Sequence, residues 1–414
     1  MNYIQLQTYK WLRIAFINLL IVALLGILMR YKIAYSLPFI DQKGFMNAHS
    51  HFAFTGWISQ ALMVLMVNYL SNQTGKNIFK KYRWIFIANL LSAYGMLLTF
   101  PWEGYGSISI TFSTLSIFVS YAFSFMFWKD LTKIKTRSVT QYWFYAALIF
   151  NVISSAGPFF LAYTMANNWH HPNLFLMALY YFLHFQYNGW FFFACAGLFS
   201  TFFNLVQIPI RIQRSIFWLF AIACVPAYFL SALWLHLSLP GYVIVVLSAI
   251  AQAVGGYLLM YWILKKRVLF SIHFKNNSKW ILILSALALC IKLVLQLIST
   301  VPSLSTFAFG FRPIVIGYLH LVLLGVITLF IIGYSKSAGL IERNKLTNSG
   351  VFIFVTGIIL NEIFLMFQGI SYMTYNNIQS INIWLLAAAG LLFTGILLLN
   401  IGMRKNILND TRQL

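Results

Sequence analysis

The stretch MNAHSHFAFTGW, Met46–Trp57, decides how this chain is read, because it sets His49 and His51 at the mouth of a long apolar segment. Histidine within a bilayer is costly unless it has a partner, so intramembrane histidines mark sites. Two later apolar segments carry the same signature, with His184 in LHFQYNGW and His320 in GYLHLVLLG. The pattern reads as a set of metal or haem ligands, since imidazole suits both iron and copper.

Composition makes the surrounding segments membrane spans. Of the 414 residues, 61% are hydrophobic and only 8% are charged, against about 25% charged in soluble domains. The net charge of +22 comes from 28 Lys+Arg against 6 Asp+Glu. These basic residues flank the apolar runs, so the charge implies membrane topology and lipid contact rather than nucleic acid. Cys195, Cys224 and Cys290 all fall in apolar segments with no Cys-x-x-Cys spacing, which excludes a disulfide framework and covalent c-type haem attachment. The first apolar run is too long for a signal peptide and has no small-residue cleavage site, so it reads as a span.

Apolar runs of about 20 residues predict twelve helical spans, at 11–30, 47–70, 83–101, 107–128, 140–165, 173–203, 214–237, 241–264, 280–300, 313–334, 350–369 and 382–403. With no internal repeat or polar linker, the expectation is an all-α polytopic bundle forming a single transmembrane domain over 1–414. Nearly all basic residues fall in the termini and in the loops after even-numbered spans. On the other side stand only Arg30, Lys32, Lys43 and Arg312, and Lys292 is intramembrane. By the positive-inside rule both termini are cytoplasmic, in the inner membrane of a bacterium.

In that orientation His49 and His51 lie in the first turn of the second span. His320 lies about two turns into the tenth, roughly 10 Å deep at 1.5 Å per residue, and His184 is nearer the midplane. His170 and His171 occupy an outer loop, His236 ends the seventh span, and only His273 is cytoplasmic. Residues i and i+2 on a helix point about 200° apart, so His49 and His51 cannot both face one ligand. Each histidine also has a plain reading, as an interfacial, packed or surface side chain; their joint clustering toward the outer face favours a site. Lys292, in LCIKLVLQ, and Glu362, in LNEIFLMFQ, read as a proton or ion path or as a pair.

At these residues the sequence resembles the catalytic subunit of the haem–copper oxidase superfamily, which includes the nitric oxide reductases. AHSHFAFTGW stands where that family's second helix holds a haem-ligating histidine, and GYLHLVLLG is similar to its tenth-helix His-x-His-x-Val-Leu pattern, with His320 in the second position. The resemblance implies twelve helices and a non-covalent low-spin haem, of b type, held by His320 and either His51 or His49. HFQYNGW resembles the reductases' His-Phe-x-x-Glu-Gly and gives His184 the place of a ligand to copper or non-haem iron. The sequence departs from the family in three ways: Tyr318 replaces the ligand of the catalytic haem, Asn188 replaces the glutamate, and the seventh-helix histidine pair is reduced to His236. The implied function is redox or electron transfer with an incomplete binuclear centre, by oxygen or nitric oxide reductase-like chemistry, with His184, Tyr187 and Tyr318 as candidate catalytic residues. A small cytochrome or a quinone would donate electrons.

Among the candidate haem ligands, His51 is favoured because it is the deeper of the pair and precedes Gly56, where a glycine would admit a flat macrocycle. His49 would then bond a propionate or water, and Arg312 would serve as a propionate partner. His184 and Tyr187, three residues apart, are expected to line a polar cavity. The rival readings are a twelve-helix secondary transporter using Lys292 and Glu362, and a non-haem metal protein of the nitric oxide stress response type using His49, His51, His170 and His171.

Overall fold

A chain this apolar must satisfy its own backbone in lipid, which leaves helices or a closed barrel. The computed structural model describes residues 3–169, 171–235, 237–274, 276–304, 311–374, 378 and 380–410, the side chains of 276–277 and 404–410 excepted. Among them the secondary structure is helical, with no strand.

The long helices are α1 (Tyr3–Tyr35), α2 (Gln42–Thr74), α3 (Phe79–Glu103), α4 (Ser107–Leu131) and α5 (Val139–Ala166). They continue as α6 (Pro172–His184, Phe185–Phe191 and Phe192–Ser200), α7 (Ile210–Cys224, then Pro226–Ala232), α8 (Leu239–Lys265) and α9 (Asn276–Ile298). The last are α10 (Arg312–Ser337), α11 (Lys345–Met373) and α12 (Ile381–Asp410). Among the described residues ten helices are long and apolar enough to cross a membrane, and eleven if α7, bent by 49° before Pro226, counts as one span. The protein is an all-α polytopic membrane protein. The sequence-based count of twelve differs at α6. That stretch is helical, but His184, Gln186 and Asn188 sit at its centre and dilute its apolar character.

Contacts cluster into two compact units, residues 1–123 with 331–414, and residues 124–330. In the first, α11 and α12 pack backbone to backbone: a Cβ on Gly395 would lie 2.5 Å from the Phe354 nitrogen, and one on Gly350 would lie 2.7 Å from the Gly395 carbonyl. Glycine is required wherever two backbones approach this closely. Asn400 ties α12 to α1 by donating to the Phe16 carbonyl at 3.0 Å. In the second unit Trp143, fully buried, packs against Phe193, Phe217 and Phe220, and Phe203, Phe270 and Phe274 anchor an aromatic cluster.

Both units are built with apolar residues outward and polar residues inward. Leu91, Leu98, Phe125, Ile222 and Leu247 are exposed, as lipid-facing side chains should be, whereas Asn18, Gln60, Asn89, Asn151 and Gln252 are buried. Each of these five amides has a hydrogen-bond partner among the described residues. Thr8 donates to Asn68 at 2.9 Å and Gln186 to Ser154 at 2.8 Å.

Candidate functional site

Three helices contain a π-helical turn, at Ala53–Ser59, Phe185–Phe191 and Leu321–Thr328. These are the helices that carry His49 and His51, His184, and His320. His184 and His320 are the residues immediately before their π turns, and His51 precedes its own by two. A π turn costs hydrogen-bond geometry and recurs at functional sites. Here its carbonyls are met by side chains of neighbouring helices. Asn18 donates to the Gly56 carbonyl at 2.6 Å, Asn89 to that of Thr55 at 3.0 Å, and Ser285 to that of Val326 at 2.7 Å.

In the first unit His49 and His51 diverge, as their spacing requires. The His49 Nδ1 sits 3.1 Å from the Val22 carbonyl of α1. A carbonyl can only accept, so Nδ1 carries the proton and Nε2 holds the lone pair. Gly26, one turn along α1, leaves room beside the ring: a Cβ there would come within 3.7 Å of His49 Cε1. His51 instead stacks on Phe100 with ring centroids 4.6 Å apart, and its Nε2 shares a hydrogen bond with the Tyr105 hydroxyl at 3.1 Å. Burial raises the pKa of Tyr105, in the short connection after α3, above its ordinary value, so the phenol keeps its proton at neutral pH.

The expectation that Gly56 opens a face to a flat macrocycle is corrected here. The Phe52 ring covers that face, and a Cβ on Gly56 would come within 2.9 Å of Phe52 Cε2. Phe52 and Gly56 stand four residues apart, so they share one face of the helix.

In the second unit His184 is buried, with both ring nitrogens in use. Nε2 donates to the Cys224 carbonyl at 2.8 Å, and Nδ1 accepts from the Asn188 amide at 3.1 Å. Its expected role as a ligand to copper or non-haem iron therefore has no lone pair to draw on, because Asn188 has taken it. Tyr187 bonds to Ser231 and Asn188, and its ring meets Tyr318 edge-on at 6.4 Å. The three candidate catalytic residues thus share one polar cluster, and His184 faces the protein rather than lipid. Cys224, which no motif marks, closes it, with its thiol 3.9 Å from His184 Nε2 and 3.8 Å from the Asn188 carbonyl.

His320 donates from Nδ1 to the Ile316 carbonyl one turn back, at 2.9 Å, which fixes the same tautomer as in His49. Arg312 is exposed at the start of that helix. His171 caps α6 by accepting from the Asn173 amide at 3.3 Å, a structural role, while His170 and His236 lie outside the described residues. Glu362 accepts from its neighbour Asn361 at 3.2 Å. Among the described residues no three of His, Cys, Asp and Glu converge in a way that could hold a metal ion.

Comparison with family models and with curated proteins gave no match.

Proposed function

We propose that the protein is a haem-binding redox protein of the membrane, related in plan to the haem–copper oxidase catalytic subunits and specialised for electron transfer. The observation that carries the reading is the tautomer of two histidines. His49 and His320 each direct Nδ1–H to a backbone carbonyl and hold the lone pair on Nε2, the arrangement by which proteins orient and strengthen a metal-ligating imidazole. A haem would need only one or two imidazoles from the chain, and His49 and His320 are the residues that would hold it. When bound, it would supply one-electron redox chemistry.

The geometry favours His49 over His51 as the ligand from α2, because Tyr105 and Phe100 already occupy His51. It also favours electron transfer over reduction of oxygen or nitric oxide. His184 has no lone pair to offer a second metal, and Tyr187, Asn188 and Ser231 bind one another instead. The basic loops support a bacterial inner membrane with both termini cytoplasmic, and a quinone or small cytochrome would be the electron donor.

A reduced-minus-oxidised spectrum of the purified protein, expressed with haem supplied, tests this. Sharp low-spin bands are expected in the wild type and in His51→Ala, and their loss in His49→Ala and His320→Ala with the protein still inserted. A wild type that takes up no haem, or bands untouched in His320→Ala, would remove the reading.

A further inference from the structure

Lys292 of α9 is 6% exposed and makes no hydrogen bond or ion pair among the described residues. Its own unit cannot supply a counter-charge. Across residues 124–330 the sequence has a single acidic residue, Asp130, and that carboxylate is paired with Lys133 at 3.0 Å. An ammonium this far from water costs several kcal/mol unless a negative charge accompanies it.

Its surroundings can be placed. On α9, Ser285 bonds the Val326 carbonyl and Ala288 meets Gly325, where an added Cβ would come within 3.1 Å. Lys292 lies one turn further along the same face, about 6 Å on, opposite the start of the π turn at Leu321. That turn packs against the π turn of α6, which follows His184, and His184 is bonded to Cys224. Neither can neutralise Lys292, since His184 is held neutral by its two hydrogen bonds and Cys224 is a thiol enclosed by His184 and Asn188.

We propose that Lys292, with Cys224 and His184 beside it, is the receptor of an internal binding site for a small, weakly hydrated monovalent anion. The charge follows from one ammonium facing no second cation in the unit's interior, since a divalent anion would bury an excess negative charge. Weak hydration follows from the burial of Lys292, because an anion that gives up its water at little cost gains most from a dry ammonium. The small size follows from the near-complete enclosure of Lys292. The site is independent of haem and of the histidine tautomers above.

The probe is nitrate, titrated calorimetrically into the purified full-length protein in detergent at constant ionic strength, with gluconate as the balancing anion. Saturable binding is expected in the wild type and in Lys292→Arg, with affinity falling on the order of tenfold or more in Lys292→Met. Sulfate is expected not to compete. Equal binding by wild type and Lys292→Met, or the absence of saturable binding, would overturn the proposal. So would binding that appears only in Glu362→Gln, because Glu362 would then be the native counter-charge. Should Lys292→Met fail to fold, the infrared spectrum of bound ¹⁵N-nitrate in the wild type decides. A split asymmetric N–O stretch is expected beside an ammonium, and an unsplit band refutes the site.

Discussion

Replacing Asn18 with alanine removes one small buried side chain and two hydrogen bonds, to the Gly56 carbonyl at 2.6 Å and from the Tyr94 hydroxyl at 2.7 Å. In a soluble core each buried group left without a partner would cost about 1–3 kcal/mol. The reference state here is a helix still embedded in the membrane, where such bonds average about 0.6 kcal/mol because freed groups find other partners. Two bonds give a loss of about 1–2 kcal/mol, the upper end applying because Asn18 is fully enclosed. The freed Gly56 carbonyl has one specific escape: the π turn Ala53–Ser59 can anneal to α-helix. Absorbing its extra residue would rotate the preceding segment by about 100° and carry His49 away from the Val22 carbonyl. Unfolding in mixed micelles, measured for Asn18→Ala, Tyr94→Phe and the double variant, reads the energy. The ¹⁵N resonances of His49 read the geometry. The double variant should be no less stable than Asn18→Ala by more than about 0.3 kcal/mol, because the Tyr94 bond is already gone. Strict additivity of the two single losses, or an Asn18→Ala change below about 0.3 kcal/mol, would refute the claim that Asn18 holds the π turn.

Two further outcomes follow from the packing. Gly395→Val should cost several kcal/mol, of order 3 or more, because its Cβ would stand 2.5 Å from the Phe354 nitrogen and backbone cannot yield as a side chain can; a thermal midpoint unchanged from wild type would contradict the close approach of α11 and α12. Asn188→Leu strips the donor from His184 Nδ1 and should destabilise the protein by about 1–3 kcal/mol, while exposing that nitrogen to titration by ¹⁵N NMR; an imidazole signal identical to wild type would show that Asn188 does not hold the tautomer.

The helices were legible because hydropathy in this chain is nearly binary, and among the described residues ten or eleven of the twelve expected spans fall on helices apolar enough to cross a membrane, with α6 the one whose composition blurs the count. The divergence of His49 and His51 was legible as well, since an i, i+2 spacing cannot serve one direction on any helix. Which partner each would meet was not. Val22 and Tyr105 lie 27 and 54 residues away in sequence, and neither carries a composition signal that ties it to a histidine. The reading of Gly56 failed for a related reason: a glycine permits a close approach without naming the group that makes it, and here that group is Phe52 on the same helix.

The π turns account for much of what the sequence left obscure. A π turn differs from α-helix by one absorbed residue, so it leaves no mark in hydrophobic periodicity over so short a stretch. Its consequence lies on the neighbouring helices, as polar residues that a lipid-embedded bundle would otherwise avoid. Asn18 and Asn89 answer the turn after His51, and Ser285 answers the one after His320. At the turn after His184 the Cys224 thiol reaches the Asn188 carbonyl while the Cys224 carbonyl takes the histidine proton. Read alone, each buried amide or hydroxyl is an unexplained cost in an apolar chain. Read with the turns, Asn18, Asn89 and Ser285 are the complements of the freed carbonyls, and a histidine stands within two residues of every turn so supported. Polar side chains thus stand where the turns free carbonyls beside the histidines, which is why the arrangement of His49, His184 and His320 is a property of the helices around them as much as of the motifs that contain them.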